Sequence, residues 1–96
     1  MIRHIVFFKF KESTSNDERE KLISALEGLK DKIEVVRELI VGRDIGNKPN
    51  SCHIALDSTF ETFDDVEAYA VHPDHMEVVK MVKEVCESSL KVDYEF

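Results

Sequence analysis

The chain of 96 residues has no tryptophan, two prolines, three glycines and two cysteines. Each scarcity closes off a class of function. Cys52 and Cys86 are too few and too far apart for a metal ribbon or a C-x-x-C redox pair, so both read as reduced, partly buried thiols. Gly28, Gly42 and Gly46 are scattered, which leaves no glycine-rich phosphate loop and no expectation of a nucleotide cofactor. Basic runs are absent as well. Thirteen Lys and Arg stand against twenty Asp and Glu, a formal charge of −7, and that balance disfavours nucleic acid and anionic membranes as partners. No apolar stretch approaches the roughly 20 residues that a membrane-spanning helix needs. Met1 to Ile5 runs straight into a strand-like pattern without a secretory hydrophobic region, so the expected location is the cytoplasm.

What remains is ordinary globular material. Hydrophobic residues make up 43% of the chain, enough to argue against disorder. The length fits one compact domain over residues 1–96, with a modest core because a chain of this size hides only roughly 60–70% of its surface. Ile2 to Phe10 reads I-R-H-I-V-F-F-K-F. Period-2 geometry sends Ile2, His4, Val6, Phe8 and Phe10 to one face of a strand and Arg3, Ile5, Phe7 and Lys9 to the other. Both sets are apolar in the middle, so this strand is expected to be covered on both sides.

Ser15-Asn16-Asp17-Glu18 fits a capping box. Behind it Leu22, Leu26, Leu29 and Ile33 form one helical stripe, ending near Lys32. Val35 to Arg43 reads as a second strand, Asp44 to Ser51 as a loop on its turn residues, and His53 to Phe60 as a third strand. Thr62 opens a short helix, His72-Pro73 breaks it, and a new helix begins at Pro73 with a stripe of Val78, Val79, Val82, Val85 and Cys86. Leu90 to Phe96 alternates and makes a fourth strand. The order β-α-β-β-α-β is the ferredoxin-like α+β arrangement, a four-stranded antiparallel sheet with helices on one face. The opposite face is expected to carry the even-numbered residues of the first strand. It is too apolar for water, and a second copy of the chain packed sheet against sheet, a homodimer, is its expected cover.

Four segments carry a resemblance. They are the opening H-I-V-F-F-K-F-K, the T-F-E at Thr59 to Glu61, the E-A-Y-A-V-H-P-D-H at Glu67 to His75 and the closing V-D-Y-E-F at Val92 to Phe96. In order and spacing they resemble the stress-responsive dimeric α/β-barrel (Dabb) family over essentially the whole chain, and the A-Y-x-x-H-P-x-H element is the most diagnostic. The resemblance implies ferredoxin-like protomers whose sheets close into a shared barrel in a dimer. It implies no single activity. Most bacterial members have none assigned, and some plant members resemble heat-stable stress proteins of higher oligomeric order. One plant branch contains a cofactor-free polyketide cyclase that closes a linear polyketide thioester by aldol condensation. That enzyme's catalytic tyrosine and histidine match Tyr69 and His75, and a histidine near the start of its first strand matches His4. Its third-strand histidine is approximated by His53, which lies one residue further from T-F-E, so a bulge would have to restore the phase.

These residues suit proton chemistry at a carbonyl. An imidazole titrating near neutrality is a natural general base, and a phenol can hydrogen-bond a developing enolate oxygen. A structural role is open to the same groups, with His72 and His75 capping the helix junction and Tyr69 filling the core. His4 is expected to face Asp57 as a buried His–carboxylate pair, beside a cavity between sheet and helices lined by Val6 and Phe8. The pair His72 and His75 lacks a third ligand, so no metal is expected. The expected ligand is a small hydrophobic or polyketide-like carbonyl compound, bound without a cofactor. Two alternatives stand beside this reading: a non-enzymatic stress or structural oligomer, and a cofactor-free oxygenase or isomerase of the wider dimeric α+β barrel group.

Overall fold

The computed structural model describes all residues from Met1 to Phe96. Its elements follow the predicted order: β1 (Ile2–Phe10), α1 (Asn16–Lys32), β2 (Glu38–Arg43), β3 (Ile54–Phe60), α2 (Phe63–Ala70), α3 (Pro73–Val85) and β4 (Cys86–Glu95). The strands form one antiparallel sheet in the order β2-β3-β1-β4, which places β4 at an edge. No helix is long and apolar enough to cross a membrane.

Each helix starts where its side chains can satisfy the free amides of a first turn. Ser15 and Glu18 form a reciprocal capping box on α1. The Thr62 side chain accepts from the Asp65 amide on α2. On α3 the His72 ring caps, its Nδ1 accepting from the Asp74 amide at 3.1 Å, with Pro73 in the first turn. Between α2 and α3 the chain turns at Val71 and His72, which is where the proline break was expected.

Two strand boundaries differ from the sequence reading. β2 begins at Glu38 rather than Val35, because Val36 turns back onto α1, its amide donating to the Ile33 carbonyl, and buries its side chain in the core. β4 begins at Cys86 rather than Leu90. The segment Cys86 to Ser89 holds no glycine or proline, and the chain leaves α3 directly into extended structure. Cys86 is therefore strand and not helix stripe; burial pushes its thiol pKa up.

The larger correction concerns the faces of β1. Ile2, His4, Phe8 and Phe10 are buried within this chain, and Ile2, Phe8 and Phe10 pack in one core with Leu22, Leu26 and Leu29 of α1 and Val66 and Val78 of the other helices. The even set therefore faces the helices and needs no second subunit to cover it. Charge decides the choice. The odd set carries Arg3 and Lys9 at its ends, which keep their hydration only on the outer face, whereas the even set carries no permanent charge. The open face is consequently the odd one. Phe7 is 45% exposed, and Leu90, directly across the ladder from it, is 71% exposed. Ile40, Val92 and Tyr94 extend this apolar surface.

Candidate active site

The inner face of β1 brings His4, Val6 and Phe8 beneath α2 and α3, and between them lies a cavity of about 320 Å³. Tyr69 enters from α2 and His75 from the first turn of α3, both lining the cavity with the three β1 residues. Five of the sequence-predicted residues are thus brought together. The break at Pro73 makes this possible: two helices at an angle place Tyr69 and His75 side by side, with ring centroids 4.3 Å apart. A continuous helix would set residues six apart on different faces.

His75 is half-buried. Its Nδ1 lies 3.0 Å from the Ala70 carbonyl oxygen, so Nδ1 carries the proton and donates, leaving the lone pair on Nε2. Burial lowers its pKa first of all; the hydrogen bond to the Ala70 carbonyl pulls the other way, and the nearby His4 and His72 each lower it by less. The ring is a neutral base at pH 7. Tyr69 is buried, and burial pushes its pKa up to about 12. It stays a protonated phenol, hence a donor, across the working range. No hydrogen bond within the chain engages its hydroxyl, and the residue lines the cavity.

His4 is held from below. Its Nδ1 sits 2.5 Å from Asp93 Oδ1, a charge-assisted bond with His4 6% exposed and the Asp93 side chain 15% exposed. The ring meets Tyr69 edge-on at 5.9 Å and Phe60 at 6.1 Å, and Phe60 packs on Tyr69 at 5.1 Å. An aromatic chain therefore runs from the sheet to His75 and fixes the ring positions.

Asp57 is not the partner of His4. In the β1–β3 register Ser58 opposes His4 while Asp57 opposes Ile5, which turns its carboxylate to the outer face, 3.7 Å from Arg3. One residue of register reverses the face. His53 is also elsewhere. It precedes β3, stacks on Phe10 at 5.7 Å and accepts from the Phe10 amide at 2.9 Å; no bulge returns it to the cavity. Sequence reasoning missed Asp93, although a signal existed. If β1 and β4 pair with the chain ends level, His4 falls opposite Asp93, as the ladder has it. Replacing Asp93 with alanine strands the buried Nδ1 donor, so a stability loss of about 1–3 kcal/mol is expected. Urea unfolding measures it, and an unchanged midpoint would mean that the pair contributes nothing.

A ferredoxin-like protomer with an apolar cavity under its split second helix, walled by a histidine and a tyrosine, defines the class of protein. The chain belongs to the Stress responsive A/B Barrel Domain (Dabb) family, whose model matches residues 2–96. Among relatives, it is 32% identical over 97 residues to a stress-response A/B barrel domain-containing protein of Arabidopsis thaliana, covering 98% of this chain but only 36% of that longer protein. It is 23% identical over 95 residues to olivetolic acid cyclase of Cannabis sativa, covering 97% of this chain and 94% of that one. Among solved structures, a dimeric ferredoxin-like protein of unknown function from Bacteroides fragilis superposes with a TM-score of 0.85 at 38% identity, covering 99% of this chain and 95% of the other. The hydroxynitrile lyase of Passiflora edulis superposes with a TM-score of 0.88 at 25% identity, covering 97% and 90%. The family therefore includes enzymes and dimers.

Proposed function

We propose that this protein is a cofactor-free proton-transfer enzyme acting on a small hydrophobic or polyketide-like carbonyl compound. His75 Nε2 removes an acidic proton next to the carbonyl. The Tyr69 hydroxyl donates to the enolate oxygen that forms. In a cyclase the enolate carbon then attacks a second carbonyl of the same chain, and the imidazolium returns its proton to the new alkoxide. One observation carries this reading: an imidazole whose Nδ1 is held by the Ala70 carbonyl, leaving Nε2 without a partner, with its ring centroid 4.3 Å from that of the Tyr69 phenol on the wall of an apolar cavity. Kinship with a cyclase and a lyase supports it. The test compares the wild type with His75→Ala and Tyr69→Phe on a panel of poly-β-ketothioesters. Turnover by the wild type, reduced in both variants, is expected. Equal turnover in all three, or none in the wild type, removes the cyclase reading.

The working form in this proposal is a homodimer joined through the outer sheet face. Ile5, Phe7, Ile40, Leu90 and Val92 form a patch too apolar to stay in water, and a two-fold contact buries it against itself. The Bacteroides fragilis structure is dimeric, which agrees. The Phe7→Glu, Leu90→Glu double variant places like charges at the centre of that contact and should sediment as a folded single chain. A variant that keeps the wild-type mass, or a wild type that is itself monomeric, would exclude this face.

A further inference from the structure

The mouth of the cavity is built from two facing rows. His75, Val79 and Lys83 follow one another at four-residue spacing along α3, so they stack on one side of that helix. Opposite them, Ser89 and Lys91 alternate with outward residues on β4, the edge strand, and all five line the cavity. Lys83 and Lys91 are exposed, which puts their ammonium groups where the cavity meets solvent. Lys91 stands 3.6 Å from Asp93, whose other oxygen is held by His4. Lys9 and Lys80 have carboxylate partners elsewhere, but Lys83 has none. Between this cationic mouth and the imidazole the walls are Val6, Phe8, Leu56 and Val82.

An unpaired cation, Lys83, facing the Lys91–Asp93 ion pair at the entrance of an apolar cavity, on a chain of net charge −7, calls for a ligand that is apolar along its length and anionic at one end. We infer that the substrate is an amphipathic anion, an acyl chain whose carbonyl reaches His75 and Tyr69 and whose terminal carboxylate or phosphate rests between Lys83 and Lys91. The inference rests on the carbonyl-site reading above and adds to it the ligand's charge and length. Eight residues separate His75 from Lys83, about 12 Å along the helix axis, and the anion is held roughly that far from the base. Lysines act as point charges and do not select between carboxylate and phosphate as a guanidinium fork does, so both sources share this chemistry.

Calorimetric titration of the full chain at low salt tests it with 2-decanone, 9-oxodecanoate and 9-oxodecyl phosphate, which share the chain and the methyl ketone. The expected result is that one or both anions bind at least about tenfold more tightly than the neutral ketone, and their order tells a free acid from a phosphorylated carrier. The Lys83→Met, Lys91→Met double variant should lose that advantage, read as the ratio of anion to 2-decanone affinity within the same variant, and the Lys83→Met single variant, which leaves the Lys91–Asp93 pair intact, should lose part of it. Ketone binding with no advantage for either anion, or an advantage that survives the double variant, overturns the inference and leaves the carbonyl site standing. Failure of all three probes to bind removes the carbonyl site and this inference together.

Discussion

Turnover by His75→Ala is expected to fall about 10²–10⁴-fold, the range a positioned general base supplies, equivalent to about 3–5 kcal/mol of barrier. The loss should fall on the chemical step more than on binding, because the imidazole edge is a small part of the wall and the apolar residues that hold the ligand stay in place. The pH profile gives the sign. With its pKa depressed by burial, His75 stays deprotonated below the ordinary histidine value of about 6.5. The acid limb of kcat/KM in the wild type should therefore inflect below that value, with activity lost as pH falls through the depressed pKa. An inflection at or above it, or a His75→Ala variant of undiminished rate, would show that another group takes the proton.

The second large effect concerns the support of the site. Phe60 is fully buried and touches both His4 and Tyr69 with its ring. Phe60→Ala should cost about 3–5 kcal/mol of folding stability, from lost transfer energy and the cavity left behind. For a domain of this size each kcal/mol lowers Tm by about 4–8 °C. Tyr69 packs on that ring, so the phenol loses an aromatic neighbour and its position relative to His75 should loosen. Thermal and urea unfolding read the first effect. A loss under about 1 kcal/mol would mean that the aromatic chain does not brace the site.

The element order was legible because its signals are local: the period-2 run of β1, the Ser15–Glu18 box, the Pro73 break and the stripe from Leu22 to Ile33 each report on their own few residues. The candidate site was legible in its helical half for a different reason. Tyr69, His72, Pro73 and His75 sit within seven consecutive residues, and their likeness to a known family element carried their juxtaposition. The half of the site on the sheet depends on register, which hydrophobic alternation does not specify when both faces of a strand are apolar. That is why alternation gives the even side chains of β1 to a partner instead of to α1, sets His4 on the outer face beside Asp57, and passes over Asp93. The charges of Arg3 and Lys9 held the missing information. His53 fails for a further reason: it lies outside the ladder of β3, where alternation has no meaning.

The most direct measurement is a pH titration of the His75 ring by two-dimensional ¹H–¹⁵N NMR, with His75→Ala used to assign its signals. At neutral pH the expected spectrum is that of an uncharged ring protonated on Nδ1, shifting to the charged form below the midpoint of an exposed histidine. A ring protonated on Nε2, or one that charges at or above that midpoint, would leave the cavity without its base.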